Sequence, residues 1–192
     1  MSEIEQKADL RRYLQDARDA LLWKLDGLSA YDARRPLTPT GTNLLGMVKH
    51  LTAVELGYLC DTFGRKHGEP LPDPEEDMFA TAEESRALIV ERYRRAWTHT
   101  DAAIDELPLD TVGTVPWWPP ERARVTLHHV LVRVLADTQR HAGHADILRE
   151  QLDGAVGWLR DNDSLATSDP TERAAYHARL EELARGAEQA GD

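Results

Sequence analysis

Apolar residues recur along this chain at steps of three and four, and no stretch alternates with period two over a useful length. That is the helical period, and it marks out four amphipathic segments. The first runs from Ile4 to Leu28 on a stripe of Leu10, Leu14, Ala17, Leu21 and Leu25, with Ser2 and Glu5 as its capping box. The second runs from Asn43 to Phe63-Gly64, with Leu44, Met47, Val48, Leu51, Glu55, Tyr58 and Thr62 on one side. Thr81 with Glu84 reads as another capping box and opens a third, carrying Ile89, Tyr93, Trp97, Thr100 and Ile104. Thr126 caps the fourth, whose stripe runs from Leu127 to Leu152 before a glycine stop at Asp153-Gly154.

Breakers separate these segments. Pro36 to Gly41 is one, Gly68 to Asp77 with its three prolines a second, and Pro108 to Arg124 with Trp117 and Trp118 set between prolines a third. Asp169-Pro170-Thr171-Glu172 then starts a charged helix reaching about residue 187. The pattern predicts an all-α protein: a four-helix bundle over residues 1–155, and an extension over 156–192 that adds a C-terminal helix to the same domain.

Composition narrows the function classes. A chain of 192 residues suits one domain with a substantial core. Its 23 basic against 34 acidic residues give a net charge of −11, which argues against nucleic acid as a partner. A single Cys excludes a disulfide framework, and Cys60 reads as a buried, inert thiol. The opening MSEIEQKADLRRY has no apolar core of a signal peptide, and no apolar run nears the roughly 20 residues of a membrane span. The expectation is a cytoplasmic protein that engages no membrane. The chain has no GxSxG, P-loop, GxGxxG or HExxH motif. What stands out is its eight histidines.

The helical wheel sorts them. With the fourth stripe centred on Leu127, His141 lies roughly 40° from the centre and Asp137 about 80° off on the same side, with His144 at about 100°. Asp137 and His141 therefore stack one turn apart, a two-ligand platform of the kind bundles use for metals. A third ligand must come from a facing helix, and His50 at the margin of the second stripe is the candidate. The plainer alternative is a surface ion pair, worth a few tenths of a kcal/mol. Glu55, in mid-stripe, needs a partner because a bare buried carboxylate is costly; Arg149 and Arg133 are candidates. His67, His99, His128, His129 and His177 read as surface residues.

Two of these segments resemble a known family. Lys49-His50-Leu51-Thr52-Ala53-Val54-Glu55-Leu56-Gly57 resembles the second-helix segment of the DinB-like superfamily. Asp137 to Glu150, DTQRHAGHADILRE, resembles the fourth-helix signature of its branch of mycothiol-dependent maleylpyruvate isomerase and related thiol S-transferases, and Leu152 to Gly157 also matches that branch. The resemblance implies a four-helix bundle holding one divalent metal through His50, Asp137 and His141. In this branch the first of the two fourth-helix ligands is usually Glu; Asp137 is shorter in reach by about 1.3 Å. Zinc is the expected metal, with nickel, iron and manganese as alternatives, and a small-molecule substrate and a homodimer are implied.

Two His and a carboxylate leave coordination positions open for chemistry. The resemblance implies a metal-dependent enzyme in which a mycothiol-like thiol attacks an electrophilic small molecule, by S-transfer or isomerisation. The alternatives are a hydrolase using metal-bound water and a non-catalytic metal-binding interaction protein. His144 is expected beside the site as a proton carrier, Tyr58 as a hydrogen-bond donor to substrate, and Arg149 as a holder of carboxylate. Trp117, Trp118 and Glu55 are the candidate cofactor-lining residues.

Overall fold

The computed structural model describes residues 2–163 and 165–190; the remaining positions of the two expected segments, 1–155 and 156–192, lie outside the described residues. Its long elements are α1 (Glu3–Trp23), α3 (Leu44–Leu59), α4 (Arg86–Glu106), α6 (Leu127–Asp153) and α7 (Pro170–Ala190). Between them lie α2 (Ala30–Arg34), a 3-10 turn at Asp61–Phe63, β1 (Val112–Thr114), α5 (Pro120–Ala123) and β2 (Arg124–Thr126). The fold is all-α, and the short antiparallel β1–β2 ladder, with Gly113 opposite Val125, is a loop ornament. No helix among the described residues is long and apolar enough to cross a membrane.

Local signals set most boundaries where the sequence reading puts them. Ser2 and Glu5 close a reciprocal capping box, Asn43 caps α3 through the Gly46 amide, and Thr126 caps α6 through the His129 amide. Gly154 ends α6 in the left-handed conformation at φ 75°. Three boundaries differ. α1 ends at Trp23 rather than Leu28, because the chain turns through Lys24 to a left-handed Gly27 (φ 74°). α3 gives way after Leu59 to the 3-10 turn. α4 starts at Arg86 with Ser85 as cap, not at Thr81. The Thr81 amide does donate to Glu84 (3.0 Å), but the Glu84 carboxylate also binds Lys49 (2.7 Å), so the turn at residues 81–84 is drawn onto α3 instead of extending α4.

Polar contacts give the helix directions. Arg86 donates to the carbonyls of Leu25 and Leu28, placing the start of α4 at the end of α1. Lys49 with Glu84 and Arg65 with Glu106 set the start and end regions of α3 and α4 side by side, so those two helices run parallel. Lys24 with Asp146 brings the ends of α1 and α6 together. The bundle is thus up-down-down-up. Its helices pack α1 on α4, α4 on α3, α3 on α6 and α6 on α1, which leaves α1 and α3 facing across a diagonal.

Two apolar layers fill the interior. One gathers Leu21, Leu25, Met47, Leu51, Ile89 and Leu148, the other Leu14, Leu59, Ile104, Leu127, Leu131 and Val134. Between them lies a polar layer. Arg18 on α1 is fully buried and grips fully buried Glu55 on α3 through Nε to Oε1 (3.0 Å) and Nη2 to Oε2 (2.5 Å). Thr100 on α4 donates to Glu55 (3.0 Å), and Arg18 also binds Asp101 (2.9 Å). Glu55 therefore pairs with Arg18, not with Arg149 or Arg133. The wheel showed that Glu55 is buried but gave no distance across the diagonal. Burial opposes the charge on Arg18, but Glu55 and Asp101 outweigh it and hold the guanidinium protonated.

Every described side chain of α7 is exposed, Tyr176, Leu180 and Leu183 among them. Asp169 precedes the helix, and its carboxylate accepts from the amides of Thr171 (2.7 Å) and Glu172 (3.3 Å).

Removing one half of a buried pair strands the other half's charge. Arg18→Met is expected to destabilise the fold by about 3–5 kcal/mol in urea unfolding, and Arg18→Met with Glu55→Leu to recover most of that loss. A double variant no more stable than the single would contradict this.

Candidate metal centre

The seam between α3 and α6 carries the cluster. His50 projects from α3, while Asp137 and His141 project from successive turns of α6. One ligand atom from each of the three lies within 4.8 Å of the others. His50 Nε2 is 3.9 Å from Asp137 Oδ2, and His141 Nε2 is 3.9 Å from Asp137 Oδ1. The two imidazole rings meet edge to face with centroids 5.1 Å apart. Asp137, with 36 % of its side chain exposed, is the open side of the cluster, and His141, at 13 %, is the closed side.

A fourth residue completes the arrangement. Asp77, in the connection between α3 and α4, accepts from His50 Nδ1 at 2.7 Å. With the proton on Nδ1 held by Asp77, Nε2 is the nitrogen that faces Asp137. The sequence reading missed Asp77; the only signal was its place in an acidic, proline-rich loop, and nothing there relates it to His50.

The donor set fits a divalent ion. With bonds of about 2.1 Å at tetrahedral angles, neighbouring donors lie about 3.4 Å apart. The 3.9 Å separations run to the two different oxygens of Asp137, and one donor atom from each residue lies within 4.8 Å of the others, so a small inward turn of the side chains brings them to that spacing. Metal-bound histidines typically give their second ring N–H to a carboxylate, as His50 does. His141 Nδ1 is buried without a hydrogen-bond partner among the described residues. Burial pushes His141 down to about 4, against the pull of Asp137, so its ring is neutral and carries a free lone pair at neutral pH. Burial also opposes charge on His50, but Asp137 and Asp77 outweigh it and raise that ring above its ordinary value. His50 in turn holds Asp137 below the usual carboxylate range, against the effect of burial.

The other expected site residues fall in three places. His144 is exposed next to the cluster, its ring centroid 5.6 Å from that of His141. Tyr58 lies two turns beyond His50, about 12 Å along the helix axis. Its hydroxyl accepts from Trp118 Nε1 (3.2 Å), and its ring meets Trp117 at 5.1 Å, so Tyr58, Trp117 and Trp118 form one aromatic group at the end of the bundle. Arg149 and Glu55 are committed elsewhere. Arg149 donates to the carbonyls of Lys24 and Asp26 (both 2.8 Å) and binds Asp153, clamping α6 to the end of α1. Glu55 is bound in the polar layer.

Arg133, not singled out as a ligand-binding residue, links the aromatic group to the cluster. Its guanidinium lies 5.2 Å from the ring centroids of both Tyr58 and Trp118, and it stands one turn before Asp137. Its charge acts on the Asp137 carboxylate one turn on and helps to hold it ionised. A groove of about 680 Å³ runs along this face of α6, lined by His129, Arg133, Asp137 and Arg140 among others. Cys60 is buried, and burial pushes its thiol up to about 12, as an inert cysteine requires. His67, expected at the surface, is instead mostly covered, with Nε2 3.2 Å from Asp61.

Comparison with known proteins places this geometry. A solved structure described as the conserved protein of locus from Enterococcus faecalis superposes with a TM-score of 0.55 at 18 % identity, covering 76 % of this chain and 96 % of that one; at that identity it shows the fold alone. No curated protein matches the chain. The model of the mycothiol-S-transferase family matches residues 9–154, a span that takes in most of α1, all of α3, α4 and α6, and His50, Asp137 and His141. The chain belongs to the mycothiol-S-transferase family, with the DinB-like bundle its sequence resembles.

Proposed function

We propose that the protein is a metal-dependent thiol S-transferase that joins a mycothiol-like thiol to an electrophilic small molecule. The observation that carries this reading is the convergence of His50, Asp137 and His141, in a chain of this family, on one point at the α3–α6 seam. His50, Asp137 and His141 would hold a divalent ion there, and the chemistry it would supply is a thiol pKa lowered so that the sulfur is thiolate at neutral pH. Two imidazoles and one carboxylate suit zinc, and they also suit nickel, iron or manganese.

The chain's own residues do the rest. The thiol S–H loses its proton to His144, exposed beside His141. A bond then forms between sulfur and the electrophilic carbon, and the leaving group departs with its bonding electrons and takes up a proton. The groove along α6 seats the anionic parts of the reactants: Arg133 and Arg140 flank Asp137, and in a chain of net charge −11 they make this face locally cationic. This assigns to Arg133 the carboxylate-holding part expected of Arg149. Trp118 and Tyr58 hold the Arg133 guanidinium in place by cation–π contact.

Untagged protein is expected to bind one equivalent of zinc, and His141→Ala to lose it, as read by elemental analysis after gel filtration; equal metal in both would overturn the reading. With metal bound, consumption of an alkylating electrophile is expected to require the thiol, and turnover at equal rate without thiol would point to a hydrolase. Arg133→Gln is expected to raise KM for a carboxylate-bearing electrophile about tenfold while leaving its methyl ester unaffected.

A further inference from the structure

Because α3 and α4 run parallel, the chain between them must travel back along the bundle, and residues 64–85 make that return. Its last part crosses the outer face of α3 as a strap fixed at several points. The Met78 carbonyl lies on Gly46: a Cβ built at Gly46 would sit 1.9 Å from that oxygen and 2.5 Å from its carbon. Asn43 Nδ2 donates to the same carbonyl (3.0 Å), and Lys49 Nζ donates to the Phe79 carbonyl (3.0 Å) and to Glu84 (2.7 Å). Ala80 packs against the apolar layer beneath. Gly46 and His50 are one turn apart on the same face of α3, so a strap seated at Gly46 brings its preceding residue, Asp77, over the His50 ring.

We propose that Asp77 is a positioning residue for the metal centre, and that Gly46 is the seat that delivers it. This rests on the metal reading above and adds to it. Asp77 accepts the Nδ1 proton of His50, fixes the tautomer whose Nε2 faces Asp137, and stops the ring from rotating out of register. A backbone contact one turn before His50 thereby sets the quality of a ligand it does not touch. Gly46 is needed because any side chain there lifts the strap off the helix. The tie also explains why Glu84 binds Lys49 instead of serving as the first turn of α4, since that pair fastens the strap's far end.

The test uses the full chain, with zinc as the probe. Zinc affinity is measured by competition with a chelator, and the tautomer of His50 by ¹⁵N shifts of the apo protein at a pH where the ring is neutral. Asp77→Ala is expected to weaken zinc binding 10- to 100-fold and to give a mixed His50 tautomer. Asp77→Asn keeps an acceptor oxygen and is expected to fall between Asp77→Ala and the wild type. Gly46→Ala, with folding checked by its melting transition, is expected to reproduce the Asp77→Ala loss, and combining the two to cost little more than either alone. Should Gly46→Ala fail to fold, the Asp77 pair decides the outcome. Wild-type affinity and an unmixed tautomer in Asp77→Ala would overturn the inference while leaving the metal site standing. Wild-type protein that binds zinc no better than His141→Ala would remove both.

Discussion

The bundle depends on one contact across its diagonal, the buried pair of Arg18 and Glu55. α1 and α3 are not packed neighbours, so no ridge-and-groove packing of apolar side chains sets their relative height. A long guanidinium reaching across the interior does. Its two-pronged grip on the carboxylate, supplemented by Thr100 and Asp101 of α4, fixes three helices in one register. A charged pair in a core adds little net stability compared with apolar residues of the same shape, but it tolerates no slippage, because any shift leaves a charge stranded. Glu55 is five residues beyond His50 on α3, so the register that satisfies Arg18 also sets the height at which His50 meets α6.

The fourth helix is fixed by a different device. Arg149 clamps the carbonyls at the end of α1, and Lys24 reaches Asp146, so α6 takes its height from α1. Asp137 and His141 follow as successive turns on the inner edge of α6. The candidate metal centre is therefore the meeting point of two helices that are each tied to α1 by separate contacts. The up-down-down-up order also requires a long return between α3 and α4, and that return supplies Asp77. In this account the connection contributes to the centre as much as the helices do.

Much of this was legible in the sequence. The period of three and four, the caps at Ser2, Asn43 and Thr126, and the stop at Gly154 are local signals and gave the four helices. The i, i+4 step of Asp137 and His141 is intrahelical, so the wheel placed it correctly. Features that depend on distance across the fold were not legible. Glu55 was seen to need a partner, but Arg18 lies 37 residues away on a diagonal helix. Arg149 is on a suitable face for a substrate carboxylate, yet two backbone carbonyls from α1 claim it. Asp77 has no periodicity to place it, and only the docking of a loop on Gly46 reveals its role. Thr81 and Glu84 have the spacing of a helix start, but a tertiary ion pair to Lys49 outweighs that local preference.

The central claim is that His50, Asp137 and His141 bind one ion together. X-ray absorption at the zinc edge of the zinc-loaded protein tests it most directly. The account predicts a first shell of nitrogen and oxygen at about 2.0–2.1 Å with the outer-shell scattering of two imidazoles, falling to one imidazole in His50→Ala. A spectrum with a single imidazole in the wild type, or one unchanged by His50→Ala, would contradict it.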